Sequence, residues 1–390
     1  MHLARLELKN WKNFAEAKVD LESRVFIIGN NGAGKSNLLD AFRFLRDIAN
    51  PKGGGIQNAV GKRGGMKKIR NFGSRQNSDV SICVEMNDSD NNKWRYKICF
   101  EQENSVRRRV LVTSEEVMCN NELRLNRPDD DDNKDSARRT QTALEQIAAN
   151  GPFRVLAEFF QGIKYIHIVP QLIRYGSEIQ GNILPDDPFG QDFMNAVAAA
   201  NQKTRDSRLR RIGEALQEIK PAYEKGHKMD LRFERDEKTG KPHLKFKYPN
   251  WRKNDVVGTE EILSDGELRL IGLLWTLMES HSMILLEEPE ISFNEAIVEA
   301  LPDIFTKAME SKKKKGRQQV IASTHSYPLL DDEGIGEEEI LLLEENDEGT
   351  CIVNGADHST IKENMEQGLS VARSSLRFAQ RRPGMDKLFQ

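Results

Sequence analysis

Residues 24–37 read Arg24-Val25-Phe26-Ile27-Ile28-Gly29-Asn30-Asn31-Gly32-Ala33-Gly34-Lys35-Ser36-Asn37, and Leu38-Leu39-Asp40-Ala41-Phe42-Arg43-Phe44-Leu45 continues them. An apolar run of strand character leads into a Gly-x-x-x-x-Gly-Lys-Ser loop, and an amphipathic run leads out of it. Glycines let backbone N–H groups close around phosphates. Lys35 reaches the β- and γ-phosphates, and Ser36 stands at a helix N-terminus where it can hold Mg²⁺. The stretch predicts strand, phosphate loop and helix in succession, and with them an α/β protein that binds a nucleoside triphosphate.

Bulk properties narrow the class. The chain has 390 residues, 31% of them charged, with a net charge of −3. That balance gives no global attraction to nucleic acid, so any such contact has to come from a local basic patch. Apolar stretches such as Ile271 to Leu277 fall far short of a membrane span, so no membrane partner is expected. The alternating start, Met1-His2-Leu3-Ala4-Arg5, carries no signal-peptide core. Cys83, Cys99, Cys119 and Cys351 are scattered without a C-x-x-C pair and read as buried small hydrophobes in a reducing cytoplasm.

Two alternating strands, Ala4 to Leu8 and Ala15 to Leu21, open the chain. Residues 50–78, rich in Gly, Lys, Arg and Asn, predict a long surface loop. A period of two from 79 to 126 predicts an antiparallel β-lobe, with strands around Val80, Trp94, Val110 and Leu123. The tetra-aspartate Asp129 to Asp132 reads as a solvated loop. Two helices are expected over 136–161, a strand over Tyr165 to Val169, and helix over 190–225 with Phe193, Val197, Leu209, Ile212, Leu216 and Ile219 inward. A hairpin turns at Lys238 to Lys241, and buried strands are expected at 283–286, 319–323 and 340–343. No sustained heptads occur, so no long coiled coil is expected.

Four further elements make the phosphate loop specific. Leu263-Ser264-Asp265-Gly266-Glu267 opens an apolar helix, which is an anion site at a helix start. Met283-Ile284-Leu285-Leu286-Glu287-Glu288-Pro289 delivers two carboxylates to the C-terminal edge of a buried strand. Ser292-Phe293-Asn294 lies just beyond, and Val320 to Ser323 ends in Thr324-His325-Ser326. With these motifs the sequence resembles the ATP-binding-cassette ATPases and, within them, the RecF/SMC/OLD-like branch, where Asn37 after the loop serine is at home. The departures are Glu287 and Asp265, where the family generally carries aspartate and glycine.

The resemblance implies an ABC-type P-loop ATPase head with a mixed or parallel core sheet, an antiparallel β-lobe and an inserted helical lobe. Residues 1–50 would form the first half of the head. Residues 51–170 would hold the glycine-rich loop, β-lobe and helices, and 171–257 the inserted helical lobe and hairpin. The second half would be 258–345, with 346–390 a tail similar to those of stand-alone ATPases from bacterial anti-phage defence operons.

It also implies roles. Gly29 through Asn37 cradle ATP. Ser36 and Glu287 hold Mg²⁺, Glu288 polarises the attacking water and His325 senses the γ-phosphate. Gln171 resembles the loop glutamine that touches nucleotide and metal, with Gln57 a rival, while His167 and His281 read as structural. Ser264, Gly266, Glu267 and Asn294 would serve the nucleotide of a second copy, giving an ATP-dependent head-to-tail homodimer. The basic run holding Lys203, Arg205, Arg208, Arg210 and Arg211 is a candidate stripe for double-stranded DNA, Lys67, Lys68, Arg70 and Arg75 a second, and Lys312 to Lys315 a solvated helix end. The leading expectation is a DNA-associated sensor or clamp for a separately encoded nuclease or toxin in anti-phage defence, since the tail is too short for a nuclease domain of its own. A RecF-like recombination mediator and a transporter cassette are the alternatives.

Overall fold

The computed structural model describes residues 1–71, 73, 79–179, 181–184, 186–219, 229–249, 255–279, 281–309, 318–346 and 349–379. Lys312 to Lys315 and Arg75 lie outside that set. The chain divides into two compact units: Met1–Ile163, His281–Leu285 and Met309–Gln390 form one, Lys164–Ser280 and Leu286–Ala308 the other.

In the first unit β1 (His2–Trp11), β2 (Phe14–Asp20), β4 (Val80–Asn87), β5 (Lys93–Gln102), β6 (Val110–Cys119) and β7 (Glu122–Arg127) form one antiparallel sheet, in the order β2-β1-β4-β5-β6-β7. The lobe is therefore wider than the 79–126 pattern implied, because both opening strands join it. Strict alternation buries Leu6, Leu8, Ile82, Val84, Tyr96, Ile98 and Phe100. A second sheet holds β3 (Arg24–Gly29), β8 (Ile163–Ile166), β12 (Met283–Glu287), β13 (Gln319–Ser323), β14 (Ile340–Asn346) and β15 (Gly349–Asn354), in the order β15-β14-β3-β13-β12-β8. Strands β8 and β12 run on into the second unit. β3 is parallel to both β13 and β14 and is buried at every residue, as a central parallel strand must be. The Gln319 side chain stitches the two sheets, donating to the carbonyls of Leu3 and Glu22 while accepting from the Leu3 amide.

Several expectations for this unit need correction. Residues 50–78 are not a bare loop: helices Ile56–Lys62 and Met66–Ile69 bury Ile56, Ala59, Val60, Met66 and Ile69. Asp129 to Asp132 opens a short helix rather than a loop, with Asp129, Asp130 and Asp131 exposed as expected and Asp132 buried. Asp129 caps helix Asp130–Lys134, and the buried Asp132 binds Arg127 at 2.8 Å. Over 136–161 a 3₁₀ turn, Ser136–Thr140, precedes helix Arg154–Gln161, and strand β8 stops at Ile166. Of the cysteines, Cys83 and Cys119 are buried, but Cys99 and Cys351 are partly exposed. Gln57 bridges the Val110 and Thr140 carbonyls and the Val110 amide, which is a structural role.

The second unit carries the antiparallel sheet β9 (Asp230–Arg235), β10 (Pro242–Pro249) and β11 (Asp255–Thr259), with β10 central. Helices Phe193–Ala199 and Gln202–Ile219 replace the single expected run, broken where Ala200 turns extended. Phe193, Val197, Leu209, Ile212 and Leu216 are buried; the Ile219 side chain falls outside the described set. Helix Asp265–Leu277 buries every residue from Leu268 onward.

Candidate functional site

The phosphate loop of the first unit is shaped by two left-handed glycines, Gly32 (φ 88°) and Gly34 (φ 101°). Helix Lys35–Ala49 starts at Gly34 with no side-chain cap and no acid in its first turn. Its leading N–H groups therefore keep their affinity for an anion. Lys35 lies across the loop, donating to the carbonyls of Gly29 (3.0 Å) and Asn30 (3.2 Å), and Ser36 is exposed at the helix start. These residues fit a triphosphate: donors and a lysine converge at a helix start whose first turn holds no acid. His325 follows β13, whose Ser323 pairs with Ile27, so the histidine emerges beside the strand that delivers the loop.

A brace under the loop was not legible in the motif. Asn13 donates to the Ala33 carbonyl (2.8 Å) and to the Thr350 hydroxyl (2.8 Å), and it accepts from the Asn37 amide (2.8 Å). Thr350 donates to the same Ala33 carbonyl at 3.0 Å, and the Trp11 indole donates to the Asn37 carbonyl at 2.9 Å. Asn37, expected among the nucleotide contacts, is thus spent on holding the loop. A Cβ on Gly34 would stand 2.0 Å from Asn13 Nδ2, so the brace also demands glycine there. Asn13→Ala removes three hydrogen bonds at about 1 kcal/mol each. It should weaken nucleotide binding about tenfold or more, as read by titration with a fluorescent ATP analogue. An unchanged dissociation constant would show that the brace is idle.

The helix Lys35–Ala49 is further anchored by buried charge. Arg63 binds Asp40 at 2.8 Å and Asp47 at 2.9 Å, and Lys12 binds Asp40 at 2.6 Å. Burial acts to raise the Asp40 carboxyl, but Arg63 and Lys12 outweigh it and hold it down at about 2.

In the second unit the two acids are held from several sides. The Tyr165 hydroxyl donates to the Glu287 carboxylate, and His167 Nδ1 lies 3.1 Å from the Glu287 carbonyl. Glu288 adopts φ 44°, which is uncommon for a side chain of this kind, and Arg269 donates to its carbonyl at 3.0 Å. Burial lowers the pKa of the Arg269 guanidinium. Glu287 is a hard oxygen donor suited to Mg²⁺, and Tyr165 fixes where it points. The expected structural role of His167 takes this form, with its ring also edge-on to Phe189.

The segment Leu263-Ser264-Asp265-Gly266-Glu267 forms a capping box. Ser264 Oγ accepts from the Glu267 amide, while the Glu267 carboxylate accepts from the Ser264 amide (2.8 Å) and hydroxyl (2.7 Å). Gly266 packs so closely on the Ser292 carbonyl that a Cβ would stand 2.7 Å from it. Asn294 Oδ1 accepts from the Ile297 amide at 3.0 Å, at the start of helix Glu295–Met309. Ser264, Gly266, Glu267 and Asn294 line one groove of about 230 Å³. Gln171 does not sit among them as a free amide: it donates to Asp265 at 2.7 Å, and Arg174 binds the other Asp265 oxygen at 2.9 Å.

The basic stripe needs correction. The Arg205 guanidinium stacks 4.3 Å from the Phe233 ring, and Arg208 lies 5.0 Å from the Trp275 ring and 3.4 Å from Glu279. Guanidinium planes stack on aromatics, so two of the four named arginines turn inward, and Arg210 pairs with Glu214. In the first unit a cleft of about 600 Å³ is lined by Lys67, Arg70 and Arg108 with Gln102, Asn104 and Ser105. Glu103, its acid, is already paired to Arg109.

The fold and the phosphate loop define an ABC-type P-loop ATPase of the RecF/SMC kind. The chain belongs to the AAA_21 family, "AAA domain, putative AbiEii toxin, Type IV TA system", which matches residues 24–332. ATP and typically Mg²⁺ are the ligands such ATPases use. The "DNA replication and repair protein RecF" of Leptospira biflexa serovar Patoc is 29% identical over 122 residues, 30% of this chain and 28% of that protein. The protein of the same name from Lactobacillus gasseri is 52% identical over 46 residues, 12% of each. These matches span less than a third of the relatives' length. The crystal structure of the SmcHead bound to the C-winged helix domain of ScpA superposes with a TM-score of 0.53 at 15% identity, covering 90% of this chain and 98% of that one. At that identity the likeness is one of fold. Among the described residues no helix is long and apolar enough to cross a membrane.

Proposed function

We propose that this chain binds and hydrolyses ATP with Mg²⁺, pairs head to tail with a second copy around the nucleotide, and acts on DNA for a separately encoded nuclease or toxin in anti-phage defence. The uncapped helix start behind Gly34, with Lys35 laid across the loop, carries the ATP reading. Backbone N–H groups from Asn31 to Ser36 bind the phosphates and Lys35 offsets their charge. Ser36 and Glu287 are the residues that would hold Mg²⁺; when bound, the ion neutralises charge on the triphosphate. Glu288 takes a proton from the attacking water, and His325 donates toward the terminal phosphate. Ser264 and Gly266 present the groove to the nucleotide of the partner copy.

The DNA association rests on the cleft of Lys67, Arg70 and Arg108. None of these three has a carboxylate within 4 Å among the described residues, and the amide and hydroxyl groups beside them suit phosphate oxygens. ATP turnover measured with and without double-stranded DNA tests it. Reversing the three cations to Glu should abolish stimulation and weaken DNA binding about tenfold or more at moderate salt. Unchanged stimulation would remove the cleft from the proposal. The RecF relatives favour a second reading, a recombination mediator. Toxicity on co-expression with an adjacent nuclease-like reading frame supports defence; DNA-junction preference without toxicity supports the mediator.

A further inference from the structure

The third residue of Leu263-Ser264-Asp265-Gly266-Glu267 is an aspartate, and an aspartate there poses an electrostatic problem. Asp265 is the first residue of helix Asp265–Leu277, directly after the cap Ser264 and before Gly266, two of the residues that line the groove. A helix start attracts one anion well, and a carboxylate fixed at that end repels a second one. Asp265 does not face this alone. Arg174 binds one of its oxygens at 2.9 Å and Gln171 donates to the other at 2.7 Å, so both are occupied. Arg174 also donates to the Leu263 carbonyl at 2.6 Å, which fixes the guanidinium against the turn that precedes the cap. Its side chain is 13% exposed, against 41% for Asp265, so the cation is the sheltered member of the pair.

We propose that Arg174 is a positioning residue for the trans nucleotide site: it neutralises Asp265 and draws that carboxylate toward helix Pro170–Tyr175, so that Ser264 and Gly266 can approach a phosphate held by a second copy of this chain. The inference rests on the head-to-tail reading above. It makes Arg174 and Asp265 a matched pair, in which losing the cation alone is worse than losing both charges. Arg174 acts through Asp265 and does not touch the phosphate.

The test uses the full chain carrying Glu288→Gln, which blocks hydrolysis, and reads the ATP concentration at half-maximal dimerisation by light scattering. Arg174→Gln keeps a donor for the Leu263 carbonyl but removes the charge. It should raise that concentration about tenfold, the scale of one uncompensated charge near a phosphate at the protein surface. Asp265→Asn should shift it by no more than about twofold, and the double variant should return to the Asp265→Asn value. Thermal melting of all four forms checks the fold. If Arg174→Gln behaves as its parent, the inference fails. If the double variant stays as weak as Arg174→Gln, Arg174 touches the phosphate directly or holds the fold, and the inference fails as well. A parent that stays monomeric with ATP overturns the head-to-tail reading itself, whereas a dimerising parent with an indifferent Arg174→Gln overturns only the role of Arg174.

Discussion

Glu288→Gln should lower the maximal ATP turnover rate by about 10²- to 10⁴-fold, the usual contribution of a positioned general base, while ATP affinity stays within about threefold of the parent. The residue directly follows a strand, Met283–Glu287, whose Met283 to Leu286 are buried, so the side chain is delivered at a fixed depth. Its backbone is set at φ 44°, and its carbonyl is pinned by Arg269. Glutamine preserves the shape and loses only the proton-accepting oxygen, so binding should survive while hydrolysis stops. ATP-dependent dimers should then accumulate where the parent cycles through them. Phosphate release gives the rate, analogue titration the affinity and light scattering the mass. Lys35→Ala should do the reverse, removing affinity first. Turnover above about a tenth of the parental rate in Glu288→Gln would move the base to another residue.

What the sequence disclosed follows from the range of the interactions involved. Strands β1 to β7 and the strand ending in Glu287 follow from local alternation or continuous apolarity, and the phosphate loop from a contiguous motif. The pieces that escaped notice join distant positions. Asn13 meets Ala33 and Thr350, Tyr165 meets Glu287, and Arg174 meets Asp265; no spacing rule links them. Charge runs misled for the same reason. Arg205 and Arg208 look solvated until Phe233 and Trp275 are placed beside them. The run Asp129 to Asp132 hides a capping box and a buried partner for Arg127. Over residues 50–78 the glycines outweighed five apolar positions at helical spacing, and those five are what pack the two short helices down.

Arg127→Met should destabilise the chain by about 3–5 kcal/mol near pH 8, the usual cost of stripping one partner from a buried ionic cluster. The Arg127 guanidinium is 6% exposed, and the Asp132 and Glu115 side chains it binds are fully buried. It also donates to the carbonyls of Gln141 and Arg138. Glu115 accepts from the amides of Ala143 and Leu144 and from the Tyr96 hydroxyl, so it cannot turn to solvent. The segment it holds carries Glu145, which accepts from the Ile56 amide at the start of the helix preceding Arg63; Arg63 in turn anchors the phosphate-loop helix through Asp40 and Asp47. Loss of Arg127 should therefore loosen the nucleotide loop as well as the β-lobe. In the parent the hydrogen bond from Arg127 holds the Asp132 carboxyl well below its usual range, whereas burial pushes the Glu115 carboxyl up. A depressed carboxylate stabilises above its unfolded pKa and loses that as pH falls; a raised one destabilises as pH rises through its folded value. The substitution removes the first effect and strengthens the second, so its penalty should shrink between pH 8 and pH 5 as the stranded acids take up protons. Urea unfolding of both forms at the two pH values measures this, with the exposed pair partner Arg124→Ala as a control that should cost no more than about 0.5 kcal/mol. A penalty below about 1 kcal/mol at pH 8, or one that grows toward pH 5, would mean that Glu115 and Asp132 find other partners and that the cluster does not tie the β-lobe to the phosphate loop.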